Sequence, residues 1–131
     1  MTWRWIDKQA LLLLHGESLA EHGGGEGLRD EGLLDSALAR PLNLVACGAP
    51  DVAAMAASYA MDVAKNHPYV DGNKRAAFLT VGMFLFLNGY RLSATQADAT
   101  VTMLALAAGD ITEEQFAAWL RVKVVVRPLK K

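Results

Sequence analysis

The chain has 131 residues, 53% of them hydrophobic and 21% charged, with a formal net charge of −1. That balance suits one globular domain over residues 1–131 and excludes a general polyanion binder, so no direct DNA binding is expected and any nucleotide site must be local. The single cysteine, Cys47, excludes an intrachain disulfide and a cysteine metal cluster and fits a reducing cytoplasm.

Trp3, Arg4, Trp5, Asp7 and Lys8 interrupt the start with bulky and polar groups, so no secretory pattern is expected. The longest apolar run, Ala76 to Leu87, falls short of the about 20 residues that a bilayer demands. A soluble, cytoplasmic protein without a membrane partner is expected.

Helix signals follow one another along the chain. Asp7 can cap a first helix, with Ile6 and Leu11 at staple positions, that frays before Gly23-Gly24-Gly25. Residues 23–29 read as a flexible loop with room for a short extended flap. Asp30 caps a second helix through Leu33, Leu34, Ala37 and Leu38, predicted to stop near Arg40-Pro41. Pro50 opens a third helix that runs to Asn66, with a thin face of Ala53, Ala56, Ala57, Ala60 and Ala64. The fourth starts near Asn73 and ends at Asn88-Gly89; apolar on nearly all sides, it is predicted to be the central, most buried element. Gly82 in its middle implies close approach of a neighbouring helix.

Ser93-Ala-Thr-Gln96 reads as a capping box for a fifth helix, and Thr112-Glu-Glu-Gln115 as another for a sixth, with Ile111 and Phe116 as its staple. Residues 122–129 fit a helix extension, a short strand or a tail equally well. The expected fold is an all-α, single-domain bundle of about six helices around the fourth.

The connection between the third and fourth helices, HPYVDGNKR from His67 to Arg75, carries the chemistry. Cations at a helix amino end are disfavoured by roughly 0.3–1 kcal/mol each, so Lys74 and Arg75 need a reason to stand there. Phosphate supplies one, because the free N–H groups of a helix start already form an anion site. Arg75 offers a planar fork and Lys74 a point charge. Gly72 allows close backbone approach, and Asn73 can donate an amide to the same anion. Asp71 can hold Mg²⁺, which takes one or two carboxylates plus substrate phosphates. His67, biased toward an extended backbone by Pro68, can accept a proton near neutral pH. A histidine after a helix, an Asp-Gly-Asn turn and a Lys-Arg pair are each ordinary alone. Together, before an apolar helix, they describe a phosphoryl- or nucleotidyl-transfer site. An EF-hand is excluded, since no glutamate follows at the required spacing.

His67-Pro68-Tyr69-Val70-Asp71-Gly72-Asn73-Lys74-Arg75 resembles the signature of the Fic superfamily, H-P-F-x-D/E-G-N-x-R. Within it the chain looks like the Doc branch, the "death on curing" toxins of toxin–antitoxin modules: Lys74 stands where typical Fic AMP-transferases carry glycine, and Phe78 where they carry a second arginine. Leu28 to Pro41 is also similar to a stretch common ahead of the motif in Doc-like proteins. The resemblance implies a Fic/Doc-like fold and, residue by residue, roles for the site. His67 is the expected general base, Asp71 the Mg²⁺ ligand or target-positioning group, Gly72 and Asn73 the phosphate cradle, and Arg75 the stabiliser of developing charge. Tyr69, in place of phenylalanine, should anchor the loop, its hydroxyl in need of a partner.

The departures at Lys74 and Phe78 imply ATP bound in a turned orientation that presents its γ-phosphate. A protein kinase acting on a hydroxyl of elongation factor Tu, and so arresting growth, is expected. Gly72 is Fic-like where Doc itself has alanine, so AMP transfer stays open beside it, as does a catalytically silent interaction domain. Fic proteins are often silenced by an inhibitory helix carrying S/T-x-x-x-E. The nearest stretch here, Ser58 to Asp62, ends in aspartate and lies within the expected core. The brake is therefore expected in trans, from a cognate antitoxin seated on an exposed apolar groove.

Elsewhere, a metal-hydrolase site would need His15 and His22 to reach His67, and both read instead as surface residues. Trp3, Trp5 and Trp119 are expected at core edges. Arg29, Arg40 and Lys65 are weak candidates to flank the site.

Overall fold

A computed structural model describes residues 2–128. Six helices follow one another: α1 (Lys8–His22), α2 (Glu31–Cys47), α3 (Val52–Asn66), α4 (Asn73–Leu87), α5 (Gln96–Ala108) and α6 (Glu113–Lys123). Two short strands, β1 (Tyr90–Leu92) and β2 (Val124–Val126), pair antiparallel with Arg91 opposite Val125. This is the all-α fold expected, with the strands as its addition. β2 decides the ambiguity after residue 122: the helix ends at Lys123, and β-branched valines extend against β1. Residues 129–131 lie outside the described part.

Five helices start on a side-chain cap worth about 1 kcal/mol each. Asp7, Asp30, Asp51, Thr95 and Thr112 accept from the N–H groups of Ala10, Leu33, Ala54, Asp98 and Gln115. Thr112 and Gln115 complete the reciprocal box that was expected. Two starts differ from expectation. Pro50, expected in the first turn of α3, lies ahead of its cap Asp51, and Thr95, not Ser93, caps α5; Ser93 instead donates its N–H to Lys123 O at 2.7 Å, extending the β1–β2 pairing. The exception among the six is α4, whose N-cap is Gly72 with no side-chain acceptor.

α2 runs on through Pro41 instead of stopping there. An interior proline loses one hydrogen bond and costs about 3 kcal/mol. Leu34, Ala37 and Pro41 fall on one stripe and are all buried, and that packing offsets the lost bond.

α3, not α4, is the central element. Nine of its fifteen residues are buried, against six of fifteen in α4. The five alanines of the thin face are all among them, so neighbouring helices can approach closely. α4 packs Ala76, Ala77, Val81, Phe84 and Leu85 inward but leaves Phe78 and Phe86 exposed. Its apolarity exceeds what the core uses. Among the described residues nothing lies within 4 Å of a Cβ added at Gly82, so no helix approaches it and nothing in the structure explains it.

Tyr59 and the tryptophans seal the core around Phe84. The Tyr59 ring lies 5.3 Å from Phe84, while Trp3 and Trp5 lie 6.1 and 6.0 Å from it. Trp119 stacks on Phe116 at 5.8 Å. Arg40 ties three helices together, donating to Asp62 at 3.2 Å and Glu113 at 2.6 Å. Its role is structural, away from the loop. Lys65 is likewise turned away, its Nζ lying 3.1 Å from where a Cβ on Gly109 would sit. Among the described residues no helix is long and apolar enough to cross a membrane.

Candidate active site at the start of α4

The segment between α3 and α4 is held from every side. His67 ends α3 in the left-handed region, at φ 52° and ψ 60°. The extended backbone expected from Pro68 is overridden, because the chain must leave a helix here and two of the terminal carbonyls are gripped by one side chain. Arg29 donates Nε to His67 O and Nη2 to Asn66 O, both at 2.7 Å. Its own backbone N–H and that of Asp30 donate to Pro68 O at 2.7 and 2.9 Å, and Val70 N donates to Gly27 O at 3.0 Å. Residues 27–30 are thus the expected flap, bridged antiparallel through Leu28 and Tyr69.

Tyr69 is buried and anchors the loop, as expected. Its hydroxyl, however, has no hydrogen-bond partner among the described residues, and burial pushes its pKa up to about 12. Asn73 embraces the same residue, accepting from Tyr69 N at 2.9 Å and donating to Tyr69 O at 3.0 Å. Its side-chain amide therefore braces the loop and is only partly free for an anion, which the motif alone did not reveal. One N–H of that amide remains to donate.

Asp71 is exposed, and its carboxylate accepts N–H bonds from Gly72 at 2.7 Å and Gly25 at 3.3 Å. Those two donors hold its pKa below the usual carboxylate range, with the nearby Arg75 charge adding to them. Arg75 points to the carboxy end of α1, donating to Ser18 O at 3.3 Å and Gly23 O at 3.0 Å. Its fork is thus partly committed to protein carbonyls, which the motif alone did not reveal; a guanidinium keeps further N–H groups for a ligand. Lys74 is exposed and makes no ion pair among the described residues.

These groups surround a cleft of about 430 Å³ lined by His67, Val70, Asp71, Gly72, Asn73, Lys74 and Arg75. The exposed imidazole, the ionised carboxylate, Lys74 and the uncapped amino end of α4 meet there. Every predicted site residue lines it. The donor set fits Mg²⁺ bound mainly through substrate phosphates: Asp71 offers the single ionised carboxylate such a site needs. A protein-only metal site does not fit, since no three His, Cys, Asp or Glu side chains cluster among the described residues.

A second, mostly apolar groove of about 740 Å³ adjoins the cleft and shares Lys74 and Arg75 with it. Phe78, Leu79, Leu92, Met103 and Leu104 line it, and Phe78 is 40% exposed. His22 stands exposed at its edge.

His15 overturns its expected place on the surface. It is 3% exposed, stacks on Tyr69 with ring centroids 3.7 Å apart, and places Nε2 2.9 Å from Asp71 O. Burial lowers its pKa, with the Arg75 charge adding to the effect and the bond to Asp71 opposing it. The sequence did carry a signal. Leu11, His15 and Leu19 recur at one helix face and are the buried residues of α1.

The family model described as Fic/DOC matches residues 5–85, which run from ahead of α1 through the whole loop and most of α4. "Toxin Doc" of Mycolicibacterium smegmatis is 43% identical over 74 residues, covering 55% of this chain and 57% of that protein. "Protein kinase doc" of Escherichia phage P1 is 31% identical over 121 residues, covering 90% of this chain and 94% of that protein. With the loop built as described and the match extending over most of the chain, this protein belongs to the Fic/DOC family.

Proposed function

We propose that this chain is the toxin of a toxin–antitoxin module and acts as an ATP-dependent protein kinase on a hydroxyl side chain of a translation factor, elongation factor Tu being the expected target. One observation carries the chemistry: the uncapped start of α4 shares a cleft with Lys74, an exposed His67 and an ionised Asp71. The names of the two relatives, a toxin and a protein kinase, support the same reading.

The α4 amides, Lys74 and the spare donors of Arg75 bind the triphosphate and offset the charge that develops during transfer. Asp71 would hold Mg²⁺, which would supply charge neutralisation for the phosphates. His67 takes the proton of the target hydroxyl. The hydroxyl oxygen bonds to the γ-phosphorus as the bond from that phosphorus to the bridging oxygen breaks, and ADP leaves. The proton on His67 then passes to solvent.

No brake lies within the described residues 58–62: Ser58 is buried with its hydroxyl unpartnered, and Asp62 is paired with Arg40. An antitoxin supplied in trans fits the groove beside the cleft, where an apolar segment would cover Phe78 and reach the shared Lys74 and Arg75.

The test is transfer of label from ATP, with Mg²⁺, to elongation factor Tu. Label from the γ position is expected. Label from the α position would make the chain an AMP-transferase, and none from either would overturn the enzyme for this target. The control is His67→Asn, because asparagine tolerates the left-handed backbone that alanine strains. It should fold and transfer nothing. Growth arrest by wild type but not by this variant is expected in cells; equal effects of both would point to a catalytically silent binding domain.

A further inference from the structure

The chemistry above makes no use of His15, although it is buried and its ring touches the loop. We propose that His15 is a positioning residue of the transfer site: its Nε2–H, donated to the Asp71 carbonyl, fixes the Asp71–Gly72 peptide and so aims the Asp71 carboxylate into the cleft. The proposal rests on the reading of Asp71 as the group that holds Mg²⁺.

The bond has one direction. A carbonyl oxygen can only accept, so at 2.9 Å Nε2 carries the hydrogen. The ring cannot turn away from this task, since it is 3% exposed and stacked at 3.7 Å on Tyr69, itself buried and bracketed by Asn73. The ring reaches the peptide only because position 72 carries no side chain: a Cβ there would stand 3.0 Å from Nε2. The Asp71 backbone is thus pinned from inside by α1, while its carboxylate reaches the cleft side and receives N–H bonds from Gly72 and Gly25.

A core histidine that merely satisfies itself would affect stability alone. Two variants separate the cases. His15→Phe keeps ring and stack but removes the donor; His15→Gln returns an amide donor near the place of Nε2. Bound Mn²⁺ is measured by electron paramagnetic resonance with ADP present, beside thermal melting. His15→Phe should weaken Mn²⁺ binding about tenfold, as lost supporting hydrogen bonds do at metal sites. His15→Gln should restore most of it at a similar melting temperature.

A folded His15→Phe protein with wild-type Mn²⁺ affinity overturns the proposal. Long-range nitrogen NMR of the wild type gives a second readout that needs no variant. A slowly exchanging Nε2–H is expected, and an Nδ1-protonated ring overturns the proposal even should both variants fail to fold. Failure of the kinase reading is distinct: wild type would then transfer no phosphoryl group, whatever His15 does to Mn²⁺ binding.

Discussion

Arg29 grips the backbone carbonyl of His67 at 2.7 Å with Nε while its Nη2 holds the carbonyl of Asn66 at the same distance. One side chain from the flap thereby closes the end of α3 and sets where the candidate base stands. A lysine cannot span two carbonyls with a planar fork. Arg29→Lys should therefore cost about 1 kcal/mol in urea denaturation, modest because the group is exposed, and lower the transfer rate about tenfold or more by displacing His67. Stability loss with an unchanged rate would assign Arg29 to the fold alone.

Gly24 faces the same loop from the other side. At φ 129° it adopts a backbone that L side chains rarely take, and a Cβ there would lie 2.8 Å from Leu19 Cδ2 and 3.0 Å from Asp71 Oδ2. Gly24→Ala should destabilise by more than about 1 kcal/mol and push the Asp71 carboxylate off its Gly25 bond. Melting and Mg²⁺-dependence of transfer, read together, check it.

The helices were legible because capping residues and apolar stripes are local signals. Asp7, Asp30 and Thr112 acted where they stand in sequence. Pro41 misled because its cost is local while the burial that offsets it comes from α3, which no local pattern displays. β1 was missed, and β2 left open beside a helix extension and a tail, for a related reason: each has three residues, too few for alternation, and each exists only through its pairing with the other. At the site, the residue types and their order were legible from His67 to Arg75. The partners of Arg75, Asn73 and His15 were not, because all three bonds depend on how distant or looped backbone carbonyls are presented in space.

His15 also sets a pH limb of stability. Its folded pKa lies below its ordinary value of 6.5, chiefly through burial. The unfolded chain therefore binds the proton first as pH falls. The stability from the neutral imidazole is complete above pH 6.5 and declines as pH drops below it toward the lowered folded value. Tyr69 and Asp71 from the loop and Arg75 from α4 are the titratable or charged groups around it. Denaturation midpoints measured across this window should fall for wild type and stay flatter for His15→Gln. Equal slopes in the two would show that other groups carry the dependence.

Gly82 offers the opposite kind of change. It sits exposed in the interior of α4, where glycine costs about 1 kcal/mol relative to alanine through the freedom it retains in the unfolded chain. A Cβ there would meet nothing within 4 Å. Gly82→Ala should accordingly stabilise by about 0.5–1 kcal/mol, seen as a later urea midpoint with an unchanged slope. Its helix begins at the transfer cleft, yet the substitution lies more than a turn beyond Phe78, so the rate of transfer should stay at the wild-type value. A destabilised variant would mean that this face of α4 is covered in the folded protein, by a second copy or a partner that the isolated chain does not show.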